Sequence, residues 1–292
     1  MSKNNQYEPA RTPRRTSRKL RGVGYSILEW GDRQSPLLVW LHGFADCGST
    51  FQFVVDELQH DWFVVAPDWR GFGNTRVDTQ AFWFPDYLAD LDHLLRHYSP
   101  HEPVNLAGHS MGGNVAGLYA GAMPERVARL VNVEGFGLAD TEPADAPGRY
   151  RDWLLQSRDL PGPTVRDDLS TLAAAIRRRN PRIGAARAAY VAREWASETD
   201  EGTAVLHAHP AHKLPNPVLY RRAEVEACWR KVRAPVLLVA GRQSNFPSPE
   251  TLPFPDRRTA WIDDAGHMLH LEQPAALAGI IEGFLVNPSG PV

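Results

Sequence analysis

Short, largely apolar runs recur along the chain at Pro36–Leu41, Trp62–Pro67, Pro103–Gly108, Arg129–Val133, Pro235–Gly241 and Thr259–Ile262. Runs this short and this continuously apolar are the pattern of strands buried on both faces. An earlier strand is predicted over residues 22–32 (GVGYSILEWGD), ending in a turn. Between the runs the period lengthens. Thr50–Leu58 reads as helical, and in Ala81–His97 the residues Phe84, Tyr87, Leu88, Leu91, Leu94 and Leu95 fall on one broad face. Met111–Met123 and Ala275–Leu285 predict two more helices, the first with small residues at its start that permit close approach to a sheet. Strands alternating with helices predict a mostly parallel sheet covered on both faces. From Phe136 to about Arg233 the strand pattern stops, and helices are predicted at Tyr150–Leu155, Leu169–Arg179 and Ala185–Ala196. This block reads as a helical insertion. The predicted organisation is a disordered basic tail (1–19), an α/β core (20–135 and 232–292) and a helical cap (136–231).

Composition narrows the class. In 292 residues, 43% hydrophobic, there is material for a sizeable core. No apolar run approaches the roughly 18 residues of a membrane span, and the N-terminus has no apolar signal core, so no stable membrane insertion is expected. Arg14-Arg15 is followed by basic, polar residues rather than the apolar stretch of a twin-arginine signal, which makes the cytoplasm the expected location. Cys47 and Cys228 are too few and too far apart for a disulfide framework or a zinc site. The net charge of −2 hides an asymmetry: residues 1–21 carry seven Lys or Arg against one acid, leaving the remainder at −8. With almost no apolar residues to bury, the tail reads as a solvated end. No basic surface interleaved with aromatics follows it, so a nucleic-acid partner is not expected.

The chemistry centres on Gly108-His109-Ser110-Met111-Gly112. Glycines on both sides of a serine suit a sharp strand-to-helix turn that lifts the hydroxyl clear of the sheet. The Met111 amide at the helix start then faces the place where an anion would form. Gly43, directly after a strand, lets the Phe44 amide face the same pocket. A serine nucleophile needs a base, and His267 in Asp264-Ala265-Gly266-His267, just after the last strand, is the best placed of eleven histidines. His42 and His109 read as shaping residues and His270 as a packing or surface histidine; His212 and the others lack a comparable strand-end position. Asp68 reads as a loop tie, partnered with Arg70, rather than as a catalytic acid.

His42-Gly43-Phe44, Asp68-Trp69-Arg70-Gly71-Phe72-Gly73, Gly108-His109-Ser110-Met111-Gly112-Gly113 and Gly266-His267-Met268-Leu269-His270-Leu271-Glu272-Gln273-Pro274 occur in this order. In these motifs the chain resembles the α/β-hydrolase family over nearly all of its length after the tail. The resemblance implies an α/β-hydrolase fold with an eight-stranded sheet and a cap after the sixth strand. It also implies Ser110 as nucleophile, His267 as base, and the Phe44 and Met111 amides as oxyanion hole. His42–Asp46 and Asn216–Arg221 look like the subgroup called serine hydrolase-like proteins. One position departs: where the family's usual acid follows Gly241, this chain has Ser244, which cannot stabilise an imidazolium as a carboxylate does. Glu134, at the end of the sixth strand, is the favoured replacement, because related dehalogenases place their acid there; Glu250 and an acid-free dyad are the alternatives.

The expected activity is a serine hydrolase acting on carboxylic esters with a small or medium apolar acyl group. Thioesters, lactones and carbon–carbon bonds share the same machinery. Serine in place of aspartate argues against dehalogenase or epoxide hydrolase chemistry, and no metal or organic cofactor is implied. Phe136, Trp153 and Trp195 are the candidate substrate contacts, with Tyr190 a further cap aromatic. A small-molecule receptor on a hydrolase scaffold is the rival from another class.

Overall fold

The computed structural model describes residues 6–246 and 248–290. Six strands precede the insertion: β1 (Arg14–Leu20), β2 (Val23–Trp30), β3 (Leu37–Leu41), β4 (Phe63–Pro67), β5 (Val104–His109) and β6 (Val127–Val133). Between them lie α1 (Gln52–Val55), α2 (Phe84–Tyr98) and α3 (Met111–Ala122). The insertion holds α4 (Ala146–Gln156), β7 (Val165–Arg166), α5 (Leu169–Arg179), α6 (Ala185–Trp195), β8 (Ala196–Glu198), β9 (Ala204–Leu206) and α7 (Arg222–Trp229). The chain then returns through β10 (Val236–Gly241), β11 (Arg257–Ile262), α8 (Leu269–Glu272) and α9 (Pro274–Val286).

The main sheet has eight strands in the order β1-β2-β4-β3-β5-β6-β10-β11. Only β2 runs against the rest, pairing antiparallel with both β1 and β4. Successive strand residues serve opposite faces: Val39, Leu41, Leu106 and Leu238 join the core beneath α2, α3 and α7, whereas Leu38, Trp40, Ala107 and Val239 join the core beneath α1 and α9. Apolar burial on both faces is why these strands read as continuous runs. At about 1.5–3 kcal/mol for each large side chain buried, the two layers supply the main force holding the sheet. Among the described residues no helix is long and apolar enough to cross a membrane.

Two sequence expectations need correction. Residues 14–19, assigned to a disordered tail, form β1 together with Leu20, along the whole of β2. Upstream, Asp56 accepts hydrogen bonds from the Tyr7 hydroxyl and from the amides of Ala10 and Arg11. The basic side chains are paired with the acidic core: Arg14 with Glu29, Arg15 with Asp68 and Glu194, and Arg21 with Asp86 and Asp90. An edge strand is held by backbone bonds and charge, so it needs no apolar residues to declare itself. The insertion, expected to be helical only, also contains the small sheet β7-β9-β8, whose strands of two or three residues are too short to show a period.

Candidate active site

Ser110 occupies the turn between β5 and α3 with φ 52° and ψ −116°, a conformation costly for any residue but glycine. The turn is possible because Gly108 and Gly112 touch. A Cβ on Gly108 would stand 2.4 Å from the Gly112 carbonyl carbon, and one on Gly112 would stand 2.2 Å from the Leu41 carbonyl oxygen. The Ser110 amide donates to Val133 O at 2.8 Å, fixing the elbow to β6. Across the gap, the buried His42 holds the loop after β3: its Nε2 accepts from the Trp69 amide at 2.7 Å, so its Nδ1–H donates to Gly43 O at 2.7 Å. The loop meets the elbow closely, with a Cβ on Gly43 falling 3.1 Å from Ser110 Cβ. Among the described residues, neither the Phe44 nor the Met111 amide has a protein acceptor, which leaves both donors available.

Glu134 follows β6 with φ 58° and is buried. Its Oε1 accepts from the Gly241 amide at 2.8 Å. Its Oε2 accepts from the Ser244 hydroxyl at 2.7 Å and lies 3.3 Å from His267 Nδ1. Ser244, in the position where the family's acid usually stands, is thus a donor to the carboxylate from the neighbouring strand. Glu250 is exposed and engages Ser248 and Arg257 through its backbone, with no hydrogen bond or ion pair to His267 among the described residues. The His267 carbonyl accepts from His109 Nε2–H at 2.8 Å, and the Phe246 ring stacks on the His267 ring at 4.0 Å. Ser110 Oγ makes no hydrogen bond to the His267 ring among the described contacts; such bonds commonly tighten only with substrate in place.

A cavity of about 460 Å³ opens over the elbow, with Ser110, Met111, Glu134 and Phe44 in its wall. Aromatic side chains including Phe82, Trp83, Tyr87 and Trp153 enclose much of it. Of the three residues read as substrate contacts, Trp153 is in this wall, whereas Phe136 and Trp195 are not among its described lining residues. Phe136 points into the core under α3 and α7. Trp195 donates from its indole to Asp46 Oδ1 at 2.8 Å on the other side of the loop after β3. Tyr190 packs against Tyr7 and Phe53, also away from the cavity. Sequence position located these residues near the site, but the direction of each side chain depends on tertiary packing. His212, passed over in the sequence, does line the cavity; its only sequence signal is its place in the Pro-bearing stretch of the insertion.

Asp68 ties its loop as expected, accepting from the amides of Gly48 and Asn74 at 2.8 and 2.9 Å. Arg70, however, pairs with Asp90 rather than Asp68. Behind the elbow, Asp46, His109 and His270 are all buried, and by residue type they could hold a metal ion, with ligand atoms within 4.8 Å of one another. Asp46 already accepts from Trp195 and Thr50, and a Cβ on Gly43 would stand only 3.0 Å from His109 Nδ1. His270 Nε2 lies 3.3 Å from Asp46 Oδ2, and among the described residues His109 Nδ1 and both His270 ring nitrogens are buried without a hydrogen bond. Burial works to raise the Asp46 carboxyl, but His270, His42 and His109 outweigh it and hold the group at about 2. Burial, reinforced by His270 and His267, drives His109 well below the usual histidine range.

The family model for the alpha/beta hydrolase fold matches residues 36–274. The serine hydrolase-like protein of Danio rerio is 27% identical over 280 residues, covering 90% of this chain and 85% of that protein. The 2-(acetamidomethylene)succinate hydrolase of Mesorhizobium japonicum is 24% identical, covering 86% of this chain and 88% of that protein. Among solved structures, the thioesterase domain from the curacin biosynthetic pathway superposes with a TM-score of 0.82 at 21% identity, covering 93% of this chain and 99% of that one. The chain is a hydrolase that belongs to the α/β-hydrolase fold family and resembles its serine hydrolase-like members.

Proposed function

We propose that the protein is a serine hydrolase that cleaves carboxylic esters with a small or medium apolar acyl group. Ser110 Oγ attacks the ester carbonyl while His267 Nε2 takes its proton. The oxyanion accepts hydrogen bonds from the Phe44 and Met111 amides, each worth on the order of 3 kcal/mol of barrier reduction. The imidazolium then gives its proton to the departing alkoxide, leaving an acyl-Ser110 ester. Water, deprotonated by His267, attacks that ester and releases the acid, and the proton returns to Ser110. Glu134 keeps the Nδ1–H tautomer of His267 and stabilises its positive charge. Residues 136–231 act as the cap that excludes water, and residues 20–135 and 232–292 as the core. The free thiols of Cys47 and Cys228 fit a reducing compartment, the cytoplasm.

The observation that carries this proposal is the 3.3 Å approach of Glu134 Oε2 to His267 Nδ1, beside a left-handed Ser110 on the wall of an apolar cavity. A hydrolysis screen of esters of graded acyl length, with matched thioesters and lactones, tests it. The expected result is fastest turnover of esters and a loss of about 10⁴-fold or more in kcat in Ser110→Ala. Undiminished ester turnover in Ser110→Ala would contradict it.

A further inference from the structure

The cavity over Ser110 contains no lysine or arginine among its described lining residues. Its ionisable members are Glu134, Tyr87 and His212. Burial pushes the Tyr87 hydroxyl far up, so it stays protonated. A substrate carboxylate entering this space would find no counter-charge, and it would lose hydration beside an acidic residue.

His212 supplies a different feature. Its ring is clamped between two phenylalanines, 3.9 Å from Phe72 and 3.5 Å from Phe82, nearly parallel to both, and the Phe44 ring meets it edge-on at 5.7 Å. Its Nε2 lies 3.2 Å from Arg70 O. A carbonyl oxygen only accepts, so Nε2 carries the proton and Nδ1 presents a lone pair. Nδ1 has no protein partner among the described residues and is not a sealed, buried atom. Burial lowers the imidazole to about 3, so the ring stays neutral. Asn114 complements it: its Oδ1 accepts from the Gly137 amide at 2.8 Å, which leaves the Nδ2 donors free at the cavity wall. Both residues line the aromatic cavity, His212 with an unpaired ring acceptor and Asn114 with an unpaired amide donor among the described residues.

Resting on the assignment of this cavity as the acyl-transfer site, we propose that it selects an uncharged substrate bearing an O–H or N–H group, which donates a hydrogen bond to His212 Nδ1, and rejects carboxylate-bearing analogues. An analogue without the donor leaves Nδ1 unpaired in an apolar space, and that unmade bond is the source of discrimination.

Ketones test this without requiring turnover. Calorimetric titration of the full chain uses 4-phenylbutan-2-one, 4-(4-hydroxyphenyl)butan-2-one and 4-(3-oxobutyl)benzoate. The phenol is expected to bind about threefold to tenfold tighter than the phenyl ketone, and the benzoate about a hundredfold weaker than the phenol. In His212→Phe the phenol preference disappears, whereas His212→Gln, which keeps an acceptor, retains part of it; thermal melting verifies that each variant is folded. Should His212→Phe not fold, the wild-type order together with His212→Gln decides. Equal affinity for the three ketones, no binding by any of them, or an undiminished preference in His212→Phe would overturn the proposal. If the ketones bind in the expected order but no ester is hydrolysed, the proposed esterase reading fails and the selectivity stands. If esters are hydrolysed and the ketone order is absent, the reverse holds.

Discussion

Glu134 combines a strained backbone with a fully engaged carboxylate: one oxygen takes the Gly241 amide, the other the Ser244 hydroxyl and the His267 ring. A carboxylate so held is fixed in position by charge-assisted hydrogen bonds. Glu134→Gln is expected to lower kcat by about 10³-fold or more, since an amide neither stabilises the imidazolium nor reliably holds the tautomer. Glu250→Gln, at an exposed position, is expected to stay within about twofold of wild type. Ser244→Ala removes one donor and is expected to cost about threefold to tenfold in kcat. Steady-state kinetics on one ester reads all three, and equal, mild effects of the two glutamate changes would remove Glu134 from the triad. The sequence showed that Ser244 could not be the acid and pointed to Glu134. It could not show Ser244 serving that glutamate, because a hydroxyl's partner 110 positions away is a property of packed strands.

At the scale of elements, β5, the elbow and α3 form a unit whose tolerances are backbone contacts. Gly112→Ala would place a methyl 2.2 Å from Leu41 O, so β3 and α3 must separate; a loss of about 3 kcal/mol or more is expected in urea unfolding. The insertion is anchored to the core loop by the Trp195–Asp46 hydrogen bond. Trp195→Phe is expected to lower stability by about 1–3 kcal/mol, because it leaves a lone pair of a buried acid without its donor; an unchanged urea midpoint would show that the bond contributes nothing. The strands buried on both faces were legible because an apolar run needs no neighbour to identify it. β1 was not, since RRTSRKL is held by its pairing with β2 and by ion pairs. Phe136 and Trp195 were misassigned for a related reason: chain position brings a residue near a site, but packing decides which way its side chain turns.

Across the whole molecule, buried histidines set the response to acid. Burial lowers His42, His109 and His212, the last to about 3. Once unfolded, each regains a pKa near 6.5, so below that value the unfolded chain binds protons that the folded chain does not. Stability is therefore lost as pH falls from about 6.5, by up to about 1.4 kcal/mol per pH unit for each such group. Asp46, held at about 2, adds a further loss only below the ordinary aspartate range. Urea midpoints are expected to drop steeply between about pH 6.5 and 5, with a shallower slope in His212→Phe; a flat profile would contradict this. All of these effects surround one serine, and its reactivity is the most direct test. On treating the folded protein with a fluorophosphonate probe, intact mass and peptide mapping should show a single adduct on Ser110, absent in Ser110→Ala and much slower in Glu134→Gln. Folded wild-type protein that takes up no probe, or takes it up equally in Ser110→Ala, would contradict the assignment of Ser110 as the nucleophile and favour a receptor built on a hydrolase scaffold.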